Sequence, residues 1–465
     1  MPISVHLAFI GWALLGLVLF YKLPPRKAVL TTAIGGSLFL PNAGYANLYL
    51  LHEKISIIGL GLLLFSVIFH AKLWSRLRLN LFDVPMIVWC LVCGFASATS
   101  NGTGSYDALS ATVNATIIWG VPYLLGRLYF SSVEGLRELA IGLILGGLIY
   151  VPLCLWEVRM SPQLHRQLYG FFQHDFGQHM RYGGFRPIVF KQHALAVSLW
   201  MALATVQALW LWKSGALKFV WGLPMGWITL LLLGTTLLCK SMNGIAIILL
   251  GAAAYFLNKS LRTALPILFL LAAPPVYIYL RATGKFSGET LIAATEATTS
   301  YDRGYSIRFR VENENLLIQK ALERKFLGWA RWGRSRVYKY GRDVTVTDGL
   351  WIIVFGTNGL LGLISLNAML GLPAIVLLRR CSPRHWIHPK IAPASALAVM
   401  VALYMIDNIF NDMYDASFLL AAGALIGLRK RSVVLALKPP LVPVALTRLR
   451  PALGASIATT EIPST

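Results

Sequence analysis

Three observations predict an all-α polytopic membrane protein: 57% apolar against 13% charged residues, a mean hydropathy of +0.64, and apolar runs of membrane-spanning length repeated along 465 residues. The same composition excludes a soluble globular domain, a disordered chain, collagen and a disulfide scaffold. In order, the apolar stretches fall at about 3–21, 28–40, 55–70, 84–99, 108–125, 138–156, 192–212, 217–239, 242–257, 264–280, 349–378, 391–406 and 416–428. They give about 12–13 transmembrane helices, the shortest of which need tilt or flanking residues to cross. No internal repeat is visible. The first run lacks a basic leader and reads as a retained helix rather than a cleaved signal. Cys90, Cys93, Cys154 and Cys239 sit inside apolar runs and Cys381 beside one, the pattern of thiols packing as small hydrophobes.

The formal charge is +23. In a membrane chain such an excess marks cytoplasmic loops rather than a nucleic-acid surface, so no nucleic-acid partner is expected. Lys22, Arg26 and Lys27, then Lys72, Arg76 and Arg78, Arg127 and Arg137, Lys213 and Lys218, Lys259 and Arg262, and finally Arg379, Arg380, Arg384 and Lys390 all fall in alternate loops. The intervening short loops hold only Lys54 and Lys240. This parity places the N-terminus outside and Arg429–Lys430–Arg431 inside. Residues 1–430 then form one membrane domain, followed by a Pro- and Ser/Thr-rich tail, 431–465, expected to be disordered in the cytoplasm. Two long loops, about 157–191 and about 281–348, and the acidic 407–415 connection fall outside. Long polar insertions in an otherwise short-looped bundle point to binding or chemistry there.

The first long loop carries Arg159, Arg166, Arg181, Arg186 and Lys191, one acid, Asp175, and His165, His174 and His179, with His193 just beyond. Its cations suit an anion at the depth of a lipid phosphate, with Gly183 and Gly184 allowing close backbone approach. They equally suit anchoring to anionic headgroups, and the histidine spacing matches no common metal motif, so no metal site is assigned. In the second loop the periodicity predicts a helix from Ser306 to about Phe326, with Ile307, Val311, Ile318 and Leu322 on one stripe lying on the membrane. Arg308–Glu312 and Arg310–Glu314 stand at i, i+4, either as surface salt bridges or with one arginine turned to a phosphorylated substrate. Beyond it, Arg331, Arg334, Arg336, Lys339 and Arg342 interleave with Trp329, Trp332, Tyr338 and Tyr340. Aromatic faces stack on sugars and guanidinium forks bind phosphate. Asp348 either caps the following helix or serves as a base at the membrane edge. Asp407, Asp412 and Asp415, with Asn408 and Asn411, form a further polar cluster, costly near hydrocarbon unless it faces a polar cavity.

Three segments together resemble the O-antigen ligase and polymerase superfamily of bacterial cell-surface polysaccharide biosynthesis. They are Arg181-Tyr-Gly-Gly-Phe-Arg186 leading into a helix, Ser306-Ile-Arg-Phe-Arg310 followed by Phe326-Leu-Gly-Trp-Ala-Arg331, and Thr347-Asp-Gly-Leu-Trp continuing to Gly362-Leu363. The resemblance covers about 180–380. It implies a multi-pass protein of the bacterial inner membrane that polymerises or ligates a polyprenyl-pyrophosphate-linked glycan on the outer face, without cofactor or required metal. Its partners would be the lipid-linked oligosaccharide, an acceptor glycan or lipid, and membrane lipids. By this resemblance Arg181, Arg186, Arg308 or Arg310, and Lys240 would hold pyrophosphate, Asp348 would be the catalytic base, and Trp329, Trp332 and Tyr338 would support glycan. The chain departs from the ligases at Lys240-Ser-Met-Asn-Gly244, where Met242 stands in place of an arginine, and at Asp348, where the ligases have histidine. Both departures favour a polymerase-like or exopolysaccharide member. The competing functions are a flippase for lipid-linked glycan and a non-catalytic scaffold of an export complex. Topology is directly checkable. Reporter fusions within 281–348 are expected to report the outer side and fusions at 213–218 the cytoplasm, and the opposite labelling would invert the assignment.

Overall fold

The computed structural model describes residues 1–45, 51–298, 301–330 and 332–438. Each of the thirteen predicted apolar stretches falls on a helix. Among the described residues, ten helices are long and apolar enough to cross a membrane. With the shorter ones among them, α1–α6 are Ile3–Lys22, Pro25–Phe39, Lys54–Trp74, Leu81–Ser100, Ser105–Tyr129 and Val133–Met160. A short α7, Leu164–Tyr169, lies in the first long loop. Then follow α8 Ala194–Lys213, α9 Met225–Leu238, α10 Met242–Leu261 and α11 Leu265–Ala282. The second long loop contains α12 Glu289–Thr298 and α13 Tyr301–Leu322, after which come α14 Leu350–Arg380, α15 Ala392–Phe410, α16 Ala416–Gly427 and α17 Lys430–Leu437. The five cysteines are free and buried.

The centre of the bundle is α8, α15 and α16, whose sides are buried almost all round. Small residues make this possible. α15 and α16 are rich in Ala and Gly, and close approach of backbones replaces the hydrophobic drive that lipid removes. At Gly126 an added Cβ would stand 2.1 Å from the Leu420 carbonyl oxygen, and at Gly423 2.0 Å from that of Tyr123, so α5 and α16 touch backbone to backbone. α4 and α5 each contain a π turn, Val88–Cys93 and Thr116–Gly120. The carbonyls released there find partners: Cys90 Sγ donates to Ala115 and the Tyr414 hydroxyl to Ile118.

Several boundaries differ from the sequence expectation. The stretch 217–239 is not all helix: Phe219–Val220 and Leu223–Pro224 form a hairpin around Trp221 and Gly222, both at positive φ, before α9 begins. A Gly–Leu–Pro sequence ends helical hydrogen bonding on that side. The tail is helical over Lys430–Leu437, because Val433 is buried against the core. The rest of the expected disordered segment, from 439, lies outside the described residues. Helix α13 starts earlier than Ser306. Its buried stripe is Val311, Leu317, Ile318 and Ala321, with Leu322 43% exposed, and it faces α14 rather than lipid.

The largest departure is in α14, expected to be continuous. It breaks at Gly359, at φ 63° and ψ −155°. The segment Lys325–Ala330 fills the break by main-chain pairing. Leu360 and Leu361 N–H donate to the Lys325 and Phe326 carbonyls (2.7 and 3.2 Å), while Trp329 and Ala330 N–H donate to Gly356 and Thr357 (2.8 and 3.0 Å). The tip of α4 secures this clasp, Ser97 Oγ donating to Thr357 O (2.7 Å) and Asn101 Nδ2 to Gly328 O (2.8 Å). Gly328 and Gly359 have positive φ, and a Cβ at either would come within 2.4–2.5 Å of opposing backbone atoms. Gly328→Ala and Gly359→Ala are therefore expected to destabilise the packing of α4, α13 and α14 by about 2 kcal/mol or more. Melting of the detergent-solubilised protein checks this. Unchanged melting in both variants would mean that the clasp is dispensable.

Candidate functional site

The loop after α6 is organised by one carboxylate. Glu157, buried at the end of α6, accepts N–H bonds from Leu164 (3.0 Å), Ile188 (2.8 Å) and Val189 (2.7 Å). It thereby holds Val189 at φ 53°, an unfavourable setting for a β-branched residue. Lys191, expected among the anion-binding cations, is instead used structurally. Its Nζ lies 2.5 Å from Asp415 Oδ2 and 2.8 Å from Ser37 Oγ, and sits over the Trp200 ring. Lys54 joins from α3 by donating to Phe190 O (3.0 Å). With its ends pinned, the chain between them forms a two-residue hairpin, Met180–Arg181 against Gly184–Phe185, turning at Tyr182 and Gly183, both at positive φ.

This hairpin separates the two arginines flanking Tyr-Gly-Gly-Phe. Arg181 is exposed, whereas Arg186 is 2% exposed, with Nε lacking a hydrogen-bond partner among the described residues. Lys240, at φ 50° between α9 and α10, reaches the hairpin, its Nζ 3.5 Å from Tyr182 O and close over Gly184. Across from it, Arg310 on α13 pairs with Asp348 (3.3 Å), each side chain 34% exposed. Arg310 is near enough to Arg186, His193 and Asp407 for their charges to interact. Burial raises the Asp348 carboxyl pKa above its usual range, opposed by the Arg310 charge. The N-cap of α14 is Gly349, so Asp348 does not cap the helix. Its side chain is directed to Arg310.

Arg308 and Arg310 therefore part company. Arg308 points outward and stands 4.0 Å from Glu312, the expected i, i+4 pair. The expected Arg310–Glu314 pair does not form: Glu314 is engaged by Arg281 (3.2 Å) and the Tyr277 hydroxyl, which the distance in sequence concealed. The three carboxylates of 407–415 also divide. Asp415 belongs to the Lys191 network. Asp412 is pushed up to about 6 by burial and by the nearby Glu53. Asp407, 1% exposed, accepts from Asn243 Nδ2 (2.5 Å) and Asn411 Nδ2 (2.9 Å) through Oδ1, leaving Oδ2 unpartnered among the described residues. Asn243 was overlooked in the sequence, although it lies in the Lys240-Ser-Met-Asn-Gly segment at the start of α10.

The residues expected to support glycan lie apart from this cluster. Trp329 and Tyr338 line a cleft of about 730 Å³ with Leu316, Lys320, Glu323, Arg334 and Arg336. Trp329 donates to Lys320 O (2.8 Å), and its ring is covered by Lys320 Nζ (3.9 Å) and the Arg324 guanidinium. Tyr338 is 54% exposed. Arg331 and the Trp332 side chain lie outside the described residues.

The histidines gather unexpectedly. The rings of His174, His179 and His193 are 4.6–5.6 Å apart, and both ring nitrogens of the buried His179 lack partners among the described residues. Among the described residues no three His, Cys, Asp or Glu side chains are grouped to hold a metal ion. His165 is satisfied on both sides, Nε2 accepting from Asn42 N and Nδ1 facing Phe171 O. Burial lowers His165 and His179 to about 4 and His193 to about 3, with Arg186 and neighbouring histidines adding to the last two. No family model and no curated protein matches the chain.

The histidines give a pH prediction. As pH falls from about 6.5 toward about 4, the unfolded chain takes up protons that the folded loop refuses, so the histidines' contribution to stability should decline across that window, while the raised carboxyls of Asp348 and Asp412 act in the opposite sense. Comparing thermal melting against pH in wild type and His179→Gln isolates the histidine contribution, with relatively less loss toward low pH expected in the variant. The same pH dependence in both proteins would contradict it.

Proposed function

We propose that this multi-pass membrane protein is a glycosyltransferase-type enzyme of the bacterial inner membrane. In this reading it transfers a glycan from a polyprenyl-pyrophosphate carrier to an acceptor on the outer face, as a polysaccharide polymerase or O-antigen ligase-like protein. The observation that carries the reading is the approach of Arg186 and Arg310, from loops 124 residues apart, beside a carboxylate with a raised pKa. Arg186 is buried and feels the charge of Arg310, which is itself paired with Asp348, a setting that an incoming anion would favour.

In the proposed reaction the acceptor hydroxyl oxygen bonds to the anomeric carbon and the bond from that carbon to the diphosphate oxygen breaks. The electron pair leaves on the diphosphate. The hydroxyl proton passes to Asp348, which the arriving diphosphate frees by drawing Arg310 to itself. Arg310 and Arg186, with Lys240 and Arg181 at the rim, meet the charge that develops on the leaving group. A flippase would instead need charges at mid-membrane. Here the charged side chains of the spanning helices lie within about two turns of the helix ends.

Arg310→Gln and Asp348→Asn are each expected to lower polymer formation by about 10²-fold or more with normal protein level and membrane insertion. Arg181→Ala should also abolish polymer. Activity of wild type should fall as pH drops through the raised Asp348 pKa, since the protonated carboxyl cannot accept a proton. Polymer made at the wild-type rate by both Arg310→Gln and Asp348→Asn would refute the assignment.

A further inference from the structure

Cys154 in α6 and Cys239 at the end of α9 are brought together by the way those helices pack. One crossing helix, α8, separates them in the chain, so α6 and α9 run in the same direction. At Gly147 an added Cβ would stand 3.2 Å from Leu232 Cδ2, which fixes their register. Seven residues further along each helix, about two turns, the same faces meet again at Cys154 and Cys239. The two side chains interact directly, and both are buried, at 0% and 1% exposure. The other thiols turn to separate partners. Cys90 donates to Ala115 O (3.6 Å), Cys93 to Ser365 Oγ (3.6 Å) and Cys381 to Ser382 O (3.7 Å).

Charged residues bracket the pair at the outer end of both helices. Glu157, which pins the strained turn at Val189, follows Cys154 by about one helical turn, and Lys240, which reaches the hairpin, follows Cys239 directly. Cys239 also lies within electrostatic reach of Arg186. We propose that Cys154 and Cys239 are oxidised to a disulfide that staples α6 to α9 beside Arg186. The oxidant is a disulfide-bearing molecule, small or protein-borne. The Cys239 thiolate attacks one of its sulfurs, and the Cys154 thiolate then displaces the remainder from the mixed disulfide. One S–S bond forms and one breaks; the pair gives up two electrons and two protons, and the oxidant leaves as two thiols. Because both sulfurs are buried, exchange proceeds through local opening of the end of α9, which stops at Cys239 with Lys240 at φ 50°. The inference rests on the proposed location at the outer face, where disulfides persist, and not on the glycosyl-transfer chemistry. The staple holds Glu157 and Lys240, which frame Arg186 from two sides, at a fixed spacing.

The test counts thiols in the full chain taken from its own membrane. Membranes are dissolved in SDS with excess N-ethylmaleimide, and the intact mass is read with and without prior reduction. Five labels are expected after reduction, one per cysteine, and three without it. Peptide mapping should join the segments that hold Cys154 and Cys239. In Cys239→Ala, Cys154 should take a label without reduction. Reduction should also lower the melting temperature of the detergent-solubilised wild type and leave that of the Cys154→Ala, Cys239→Ala double variant unchanged. Five labels without reduction, or a linkage joining any other pair, overturns the proposal, and this count on wild type decides the matter even where a variant fails to fold. A linked pair in a protein that makes no polymer leaves the staple standing and removes only the glycosyl-transfer reading.

Discussion

The part of the molecule that carries the candidate site depends on the main-chain clasp at Gly359. A helix break inside a membrane protein frees donors and acceptors that have no water to satisfy them, and each left unpaired would be expensive. Here Lys325–Ala330 supplies a complementary set, and α4 closes the remaining side through Ser97 and Asn101. The clasp fixes the C-terminal end of α13 against α14. Arg310 on α13 and Asp348, just before α14, therefore meet at 3.3 Å, with Asn313 of α13 accepting from Val346 N beside them.

A second set of restraints works from the other side of the site. Glu157 shapes the strained turn at Val189, while Lys191 and Asp415 join the loop to α2 and α16. Arg186 is thereby carried inward and buried, and Arg181 is left outside on a hairpin. A buried pair such as Lys191–Asp415 is weak evidence for stability but strong evidence for register, since removing either partner strands a charge.

The bundle was largely legible in the sequence, because apolar length responds to the bilayer and not to neighbours. The break in α14 was not legible. Gly359 lies among other helical glycines, and only its partner segment, thirty residues earlier, makes the break affordable. Pairing choices were misread for the same reason. Arg310 and Glu314 have ideal helical spacing, yet Asp348 and Arg281 outcompete that local option by burial. The Tyr-Gly-Gly-Phe turn was readable because its conformation is local. The convergence of Arg186 with Arg310, and of Asn243 with Asp407, depends on how helices distant in sequence pack, which no spacing rule encodes.

The proximity of Arg186 to Arg310 has a consequence for the resting protein. Arg186 is buried in the field of Arg310, itself paired with Asp348, so under the proposed function a phosphate-bearing group would lessen the repulsion between the two guanidinium ions. Phospholipid headgroups carry the same phosphate and, on that reading, would compete with the carrier for these cations.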